Sequence, residues 1–372
     1  MENSLNYKYG LKQVINASGR MSILGVSSPT NSVMDAMKFG GQNYVEIADL
    51  VDKSGAYIAN RINAEDAVVV NSASSGIALS IAGVVTEGNE RKSQKLHNES
   101  IDKNEIILFK GHNVQYGAPI ETMIYLGGGR AVEVGYANEG KENHVQEAIN
   151  ENTAAILYVK SHHAVQKNMA SIEEIYQVAQ KYNIPLIVDA AAEEELTKYI
   201  QCSDLAIYSG SKAIQGPTTG IVAGKKSLIE SVKTQLHFIG RSMKVGKEST
   251  FGLLQALDEY FDKVDNSEAE KSELEKLSPI NNYEGIRLEI VQDEAGREIY
   301  RTRVHVDSSI LNMSAEKFVE KLKNAYVAIY TRDYGVKQGF FDIDPRPLKQ
   351  GEIEIIYEII VQIVRGKFNE NT

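Results

Sequence analysis

Short apolar runs rich in β-branched residues alternate with helical patterns between about residue 67 and residue 224. Several of these runs are nearly continuous, which is typical of strands that are buried on both faces of a sheet. The alternation therefore predicts a mainly parallel sheet with helices on both faces. The predicted strands are Ala67–Asn71, Ile106–Phe109, Met123–Leu126, Ala131–Val134, Ala154–Val159, Ile184–Asp189, Asp204–Ser209 and Gly220–Gly224.

Apolar residues at helical spacing flank this block. They predict one helix between Tyr44 and Ile62 and a second, long helix that includes Leu254–Val264. A highly charged stretch follows the second helix and indicates a change of domain. We predict a large α/β domain over residues 1–264, which includes the N-terminal segment, and a small domain over residues 265–372.

The last third of the chain has a different pattern. Ile286–Val291 and Ile299–Val306 alternate like half-buried antiparallel strands, joined by a turn at Asp293–Arg297. Ser314–Asn324 and Glu352–Val364 have helical patterns. The small domain is therefore predicted to be α+β.

Composition and charge narrow the possible partners. The chain has 40 Lys and Arg against 50 Asp and Glu, a net charge of −10, which argues against binding to nucleic acid. The single cysteine, Cys202, excludes an intrachain disulfide and favours a reducing cytoplasm. No apolar stretch approaches the roughly 20 residues that span a bilayer, so we expect no membrane partner.

Small, polar and ionisable residues follow five of the predicted strands. In open α/β sheets, ligands bind outside the carboxyl ends of the strands, so these residues are the ones expected to form a site. They are Ser72–Gly76, Lys110–Asn113, Lys160–His163, Asp189 and Ser209–Lys212.

Three of these positions suit an anionic, aromatic ligand. Ser74, Ser75 and Gly76 open a helix whose free N–H groups attract an anion, although simple N-capping by serine gives the same pattern. Asp189 ends an apolar strand, where a protonated ring nitrogen or the capping of a following helix would satisfy its carboxylate. Lys212 can form a Schiff base in a partly closed site, whereas an ordinary lysine is solvated.

Histidines at strand ends raise two possibilities. A metal site is one of them, but the chain lacks the His-x-x-x-His spacing and a second cysteine, so we predict no metal. His112 is better suited to stacking on an aromatic cofactor. Ser161, His162 or His163 would then hydrogen bond to a hydroxyl of that cofactor.

Several segments resemble a known family. Val14–Arg20 resembles the "INATG" opening of the bacterial selenocysteine synthases, and Ser209–Lys212 with Gly216–Ile221 resembles their "SGDK…GGPQAGI" lysine segment. Phe109–Asn113 and Gly117–Ile124 resemble the "KGH…GAPVETMI" stretch of shorter members, the D-glucosaminate-6-phosphate ammonia-lyases. The resemblance extends over nearly the whole chain.

This resemblance implies the aspartate aminotransferase-like fold type I of enzymes that use pyridoxal 5′-phosphate (PLP). It implies that Lys212 forms the Schiff base, that Asp189 pairs with the pyridinium nitrogen and that His112 stacks on the ring. The remaining cofactor contacts would come from Ser74, Ser75, Gly76 and Ser209 at the phosphate, and from Ser161 or His162 near the ring hydroxyl. The residues implied for the substrate are Asn16, Ser18, Arg20, Arg241, Lys244, Lys247 and Arg346.

The activity implied is that of an ammonia-lyase. D-glucosaminate 6-phosphate would lose its α-proton and 3-hydroxyl and yield 2-keto-3-deoxy-6-phosphogluconate and ammonia. An L-seryl-tRNA selenium transferase, or another PLP enzyme of the family, is one alternative, although Ser211 replaces the aspartate of the selenocysteine synthase pattern. A cofactor-free α/β protein that binds a phosphorylated metabolite is the other.

We also expect a homo-oligomer, at least a dimer. The segment that carries Asn16, Ser18 and Arg20 has no strand or helix pattern of its own, and in such enzymes it often approaches an active site at a subunit interface.

Overall fold

The structure is a computed structural model that describes residues 5–99, 101–161, 163–263, 266–292 and 298–367. The chain divides into two compact units, of which the larger is Pro29–Asp262. The smaller unit combines the residues up to Ser28 with those from Lys263 onward. The sequence predicts that the N-terminal segment belongs to the large domain, whereas its described residues group with the C-terminal part. The predicted boundary residue 265 lies outside the described residues.

The strands among the described residues are short. In chain order they are β1 (Val14–Ala17), β2 (Asp66–Val70), β3 (Glu105–Phe109), β4 (Arg130–Val134), β5 (Thr153–Val159), β6 (Leu186–Asp189), β7 (Leu205–Ser209), β8 (Gly220–Gly224), β9 (Ile286–Gln292), β10 (Tyr300–Val306), β11 (Ala328–Thr331) and β12 (Phe340–Ile343).

The helices among the described residues surround these strands. They are α1 (Leu5–Tyr9), α2 (Asn31–Gln42), α3 (Ile47–Ile62), α4 (Ala73–Thr86), α5 (Glu90–Lys95), α6 (Ile120–Leu126), α7 (Glu142–Ala148), α8 (Ile172–Tyr182), α9 (Leu196–Ile200), α10 (Lys226–Gln235), α11 (Lys247–Phe261), α12 (Ser267–Glu275), α13 (Ser308–Leu311), α14 (Ala315–Lys323) and α15 (Glu352–Val364). None of them combines the length and hydrophobicity that crossing a membrane requires.

A seven-stranded sheet forms the centre of the larger unit, in the order β2-β8-β7-β6-β5-β3-β4. The strands from β7 to β4 pair in parallel, and β8 runs antiparallel to both of its neighbours. Every residue of β3, β5, β6 and β7 is buried, and separate apolar clusters cover the two faces of the sheet. The prediction of a mainly parallel sheet is confirmed.

One predicted strand is a helix. Met123–Leu126 belongs to α6, where Ile120 and Ile124 are buried while Tyr125 and Leu126 are exposed. Residues four apart share one face of a helix, so this spacing buries one side of α6. A run of four apolar residues is too short to distinguish this period from that of a strand.

The smaller unit contains two separate sheets. β1 pairs in parallel with β11, and β9, β10 and β12 form an antiparallel sheet. The predicted strands and helices of the last third are present, while the predicted turn at 293–297 lies outside the described residues. The expectation that the N-terminal segment has no regular structure is wrong. Ile15 and Ala17 of β1 alternate with more exposed neighbours and are buried in the core of this unit.

Candidate functional site

The carboxyl ends of β5, β6 and β7 lie side by side on one edge of the large sheet. Val159 of β5 is the register partner of Asp189 in β6, and Asp189 is that of Ile207 in β7. The backbone N–H of Lys160 donates to the Asp189 carbonyl at 2.8 Å. The topology therefore brings together the residues that follow three of the strands, as the sequence predicts.

Asp189 is a buried carboxylate at the centre of this edge, and its side chain is only 8% exposed. One carboxylate oxygen accepts a hydrogen bond from the Ala191 N–H at 3.1 Å. Burial raises the pKa of Asp189 to about 6, while the positive charge of Lys212 acts in the opposite direction. The next helix begins only at Leu196, so Asp189 does not cap it. The carboxylate is therefore available to a cationic partner.

Lys212 lies in the connection between β7 and the antiparallel strand β8. The Gly210 N–H donates to the Thr219 carbonyl at 2.9 Å, which closes the base of this connection. A Cβ added at Gly210 would lie 2.0 Å from the Thr219 hydroxyl oxygen, so only glycine fits there. Ser209 is buried at the end of β7, and its hydroxyl oxygen lies 3.3 Å from that of Ser211. The half-buried lysine is thus carried by a tightly packed loop.

The first turn of α4 provides donors for an anion. The Ser72 hydroxyl accepts the Ser75 N–H at 3.1 Å, so Ser72 is the N-cap. Helix geometry leaves the N–H groups of Ala73 and Ser74 without intrahelical partners. The Ser75 hydroxyl is engaged within the turn, and the role of Ser75 at the phosphate stays a prediction. That hydroxyl accepts from the Ser72 N–H at 2.9 Å and donates to the Ser72 carbonyl at 2.8 Å, so its single proton is already used.

A cavity of about 250 Å³ opens at this turn. A Cβ at Gly220 would lie 2.6 Å from the Ser72 carbonyl carbon, so β8 passes directly against the start of α4. A Cβ at Gly76 would lie 3.0 Å from a methyl group of Ile207, so α4 packs equally closely on the sheet. The cavity is lined by Asn71, Ser72, Ser74, Ser75, Met123, Ser242 and Met243.

Tyr116 is a residue of this region that the sequence analysis missed. Its hydroxyl is buried and has no hydrogen-bond partner among the described residues. Burial raises the pKa of this phenol, the neighbouring Ser74 hydroxyl lowers it, and the charge of Asp189 raises it further. The two hydroxyls are therefore neighbours, although they do not meet in hydrogen-bonding geometry. Tyr116 lies within residues 109–124, the stretch that resembles the family. It does not directly follow a predicted strand, so the sequence pattern does not single it out.

A family model described as L-seryl-tRNA selenium transferase (SelA) matches residues 49–297. The chain belongs to the SelA family. This confirms the resemblance drawn from the sequence motifs.

Two related proteins and one solved structure match nearly the whole chain. A D-glucosaminate-6-phosphate ammonia lyase of Salmonella typhimurium (strain 14028s / SGSC 2262) is 44% identical over 96% of either chain. A 5′-C-glycyluridine monooxygenase-decarboxylase of a Streptomyces species is 34% identical over 95% of this chain and 91% of that protein. A solved structure of a D-glucosaminate-6-phosphate ammonia-lyase, 42% identical, has a TM-score of 0.94 and covers 99% of this chain and 100% of its own.

The predicted fold class is confirmed as that of the fold type I PLP enzymes, and the SelA family is one of PLP-dependent enzymes. The residues of the larger unit fit this cofactor. The buried Asp189 carboxylate suits a protonated ring nitrogen, and the cavity at the start of α4 suits a phosphate. These two observations come from the geometry of the chain itself.

His112 has surroundings that differ from the prediction. Its side chain is fully buried, and its ring lies edge-on to Phe109 and Tyr158. Its Nδ1 accepts the Val159 N–H at 3.3 Å, and its Nε2 lies 3.2 Å from the Val165 carbonyl. Burial lowers the pKa of His112 to about 4, which keeps it neutral. No face of the imidazole is exposed in this arrangement, and the role of His112 at the cofactor stays a prediction.

The segment after β5 is only partly described. The Ser161 hydroxyl oxygen accepts the His163 N–H at 3.2 Å, and the His163 side chain is exposed. His162 lies outside the described residues, so the choice between Ser161 and His162 for the ring hydroxyl stays a prediction. Within the described ranges, no group of three or more His, Cys, Asp or Glu residues is placed to hold a metal ion.

The basic residues predicted for substrate anions in the larger unit differ in their surroundings. Arg241 and Lys244 are exposed and flank Ser242 and Met243, which line the cavity at α4. The Lys247 amine instead donates to two backbone carbonyls at the end of α2, one of them at 3.0 Å. Lys247 therefore holds α2 and is a poor candidate for binding a substrate anion.

In the smaller unit, the N-terminal motif forms a tight turn after β1. The Asn16 amide donates to the Gly19 carbonyl at 2.7 Å, and its oxygen accepts the Ser18 N–H at 3.0 Å. Gly19 has φ +96°, a conformation that favours glycine. Ser18 is buried, whereas Arg20 is exposed.

Two arginines of the smaller unit pair with one buried carboxylate beside this turn, and a third contacts the turn itself. Arg301 and Arg346 donate to Asp344 at 3.0 and 2.8 Å, and Arg332 donates to the Ser18 carbonyl at 3.4 Å. Burial would raise the pKa of Asp344, but Arg346 and Arg301 outweigh it and lower the pKa. Arg346 thus lies close to Gly19 of this turn, and its role toward a substrate stays a prediction. Arg301 lies in β10 and Arg332 directly follows β11, so no local pattern in the sequence indicates that they meet here.

Proposed function

We propose that this chain is a PLP-dependent ammonia-lyase that converts D-glucosaminate 6-phosphate into 2-keto-3-deoxy-6-phosphogluconate and ammonia. The observation that carries the proposal is the buried Asp189 carboxylate under the influence of Lys212 at the edge of the sheet. The nearly full-length similarity to the Salmonella lyase supports the choice of substrate.

The residues of the larger unit would hold PLP at three points. Lys212 would bind it covalently, Asp189 would face the ring nitrogen, and Ser74 with the first N–H groups of α4 would face the phosphate. Ser209 is close to Lys212 in sequence, and its hydroxyl would also contact the phosphate. When bound, PLP supplies an electron sink for a negative charge that develops on the α-carbon of the substrate.

The chain itself would manage the proton. The Lys212 amine would be the base that takes the proton from the α-carbon of the substrate. The Asp189 carboxylate keeps a proton on the ring nitrogen, since a positive charge there relieves the cost of burying the carboxylate. The 3-hydroxyl leaves as water, and one water is consumed when the nitrogen leaves as ammonia. The sum of the products therefore equals the substrate.

Arginine and small polar side chains would orient the two anionic ends of the substrate. A guanidinium binds a carboxylate or a phosphate with two parallel hydrogen bonds. In the larger unit the proposed residues are Arg241 and Lys244, which flank residues of the cavity at α4. Asn16, Ser18, Arg20, Arg332 and Arg346 of the smaller unit are candidates for contacts to a substrate anion. A bound anionic group would position the α-proton relative to the base and so raise the rate.

Reductive labelling tests the cofactor part of the proposal. Protein incubated with PLP is treated with borohydride and digested, and the peptide that carries the pyridoxyl group is identified. We expect the label on Lys212 and none in Lys212→Ala. Lys225→Ala is a matched control, because the Lys225 amine is paired with Asp204 at 2.6 Å and lies at the other edge of the sheet. Label on another lysine would contradict the assignment.

Product analysis tests the substrate. Ammonia release from D-glucosaminate 6-phosphate, dependent on PLP and lost in Lys212→Ala, is the expected result. The Streptomyces relative is named as a monooxygenase-decarboxylase, so oxygen uptake and carbon dioxide release are measured in parallel with its named substrate class. Transfer to seryl-tRNA would support the selenium transferase alternative. A protein that stays colourless with PLP and binds only the phosphorylated metabolite would support the cofactor-free alternative.

A further inference from the structure

We propose that Gln166 is a positioning residue of the candidate site, whose side-chain amide fixes the end of β5 and with it Ser161 beside Asp189. This inference rests on the proposed function, because it assigns Ser161 to the cofactor that Lys212 and Asp189 would hold. Gln166 acts through the backbone of β5 and is not itself placed in contact with the cofactor or the substrate.

The end of β5 has no neighbouring strand on one side. The last register partners of β3 and β5 are Ile107 and Ile156. The N–H groups of Ile156 and Lys160 donate toward the β6 side, at 2.9 and 2.8 Å. Successive residues of a strand direct their backbone groups to opposite sides. The N–H and the carbonyl of Val159 therefore point away from β6, to the side where β3 no longer pairs with β5.

Two side chains replace the missing strand at Val159. The Val159 N–H donates to Nδ1 of His112 at 3.3 Å, and Nε2 of Gln166 donates to the Val159 carbonyl at 3.1 Å. An unpaired backbone group that is buried costs free energy, and Val159 has no exposed surface. The last residue of β5 thus depends on these two side chains for both of its backbone hydrogen bonds.

Gln166 also contacts the next two residues of the chain. Its Oε1 accepts from the Lys160 amine at 3.1 Å, and its Nε2 lies 3.5 Å from the Ser161 carbonyl. Its own backbone position is fixed, because the preceding Val165 N–H donates to the Gly111 carbonyl at 3.0 Å. One anchored amide therefore contacts three consecutive residues at the end of β5.

The residues that Gln166 holds lie next to Asp189. Val159 and Ile187 pack in the same apolar cluster on one face of the sheet. Residues two apart in a strand share a face, so Asp189 lies on the face of Ile187, and Ser161 follows Val159 at the same interval. The Ser161 hydroxyl accepts the His163 N–H through its oxygen, which leaves its proton for another acceptor.

This arrangement gives Gln166 a specific influence on the cofactor. A hydrogen bond donated by Ser161 would stabilise negative charge at the ring hydroxyl of PLP and so favour loss of a proton there. Removing the Gln166 amide should displace Ser161 and weaken that bond. Lys212, Asp189 and the cavity at α4 would keep their own contacts, because Gln166 bonds to none of them.

Hydrogen exchange tests the hold of Gln166 on β5 in the cofactor-free protein. Gln166→Met keeps the length of the side chain and removes both of its polar atoms. We expect the backbone amides of residues 157–161 to exchange about tenfold faster in this variant, because local opening no longer breaks those hydrogen bonds. Gln180→Met is the matched control, since the Gln180 amide donates to Asp204 at 3.3 Å at the opposite edge of the sheet.

The absorbance of lysine-bound PLP, recorded against pH, tests the positioning role. Loss of the bond from Ser161 should raise the midpoint of the pH-dependent change by roughly half a unit to one unit in Gln166→Met. Gln180→Met should keep the wild-type midpoint. Gln166→Glu still accepts from Lys160, but an ionised carboxylate cannot donate to the Val159 carbonyl, so we expect it to behave like Gln166→Met.

Three results would overturn the inference. Faster exchange with an unchanged midpoint would mean that Gln166 only stabilises the chain. Unchanged exchange in Gln166→Met, or wild-type behaviour of Gln166→Glu, would mean that the bond to Val159 does not fix the end of β5. If the wild type forms no lysine-bound PLP, the proposed function fails separately, and the exchange rates still decide whether Gln166 holds the end of β5.

Discussion

Asp189→Asn should make the cofactor-free protein more stable while it removes activity. Burial raises the pKa of Asp189 from the usual 3.8 to about 6. Between about pH 4 and pH 6 the folded carboxyl therefore holds a proton that the unfolded chain has lost, so the stability that this proton contributes disappears as the pH rises through 6. At about 1.4 kcal/mol per pKa unit, the ionised carboxylate costs about 3 kcal/mol at pH 7. An asparagine avoids this cost and can still accept the Ala191 N–H.

The assay is thermal unfolding without PLP between pH 4 and pH 8. With an unfolding entropy of about 2 cal/mol/K per residue, 3 kcal/mol corresponds to a rise in melting temperature of roughly 4–6 °C at pH 7. The difference should vanish near pH 4. Added PLP should stabilise the wild type more than the variant, because the charged ring nitrogen then offsets the buried carboxylate.

Asp204→Asn is the matched control, since Asp204 is also a buried aspartate next to a strand of the same sheet. Its carboxylate accepts from Lys225 at 2.6 Å and from the Leu186 N–H at 2.7 Å, so replacing it should lower stability. The interpretation of Asp189 as an uncompensated buried charge is refuted by either of two results. One is a lower stability of Asp189→Asn than of the wild type at pH 7, and the other is the same dependence of melting temperature on pH in both proteins.

Three further predictions concern the geometry of the site. Gly220→Ala places a methyl group 2.6 Å from the Ser72 backbone and should weaken PLP affinity about tenfold or more, measured by titration. Arg332→Ala should raise KM for the substrate at least tenfold with little change in PLP affinity, and an unchanged KM would remove Arg332 from the substrate site. Mixtures of inactive Arg20→Ala and Lys212→Ala chains should regain activity if subunits share a site, and no recovery after proven subunit exchange would reject that arrangement.

The strands of the large sheet could be predicted because burial on both faces leaves a continuous apolar signal. β5 and β7 have no exposed position, so each can be recognised as a strand from its continuous apolar run, without an alternating pattern. β1 was missed because four residues give only two inward positions, and because its partner β11 lies more than 300 residues away in the chain. Pairing at such separation leaves no local trace in either segment.

Candidate residues were predicted best where strand ends alone decide their position. Asp189 and Lys212 lie near each other, as expected, because they follow neighbouring parallel strands that end on the same edge of the sheet. His112 also follows a strand, yet backbone groups of two other segments occupy both of its ring nitrogens. Tyr116 is placed by a turn whose closure depends on hydrogen bonds rather than on residue type. Contacts of this kind cannot be inferred from spacing along the chain.

The antiparallel placement of β8 has a consequence for how chain length can vary among relatives. Ser209 and Gly220 are register partners, so the connection that carries Lys212 starts and ends at fixed points. An inserted or deleted residue there would move the lysine relative to Asp189, or pull Gly220 away from the start of α4. The described residues of the connection between α4 and β3 form the short helix α5 and are otherwise mostly exposed and polar. Aligned members of the family should therefore differ in length after α4 and keep a constant length between Ser209 and Gly220.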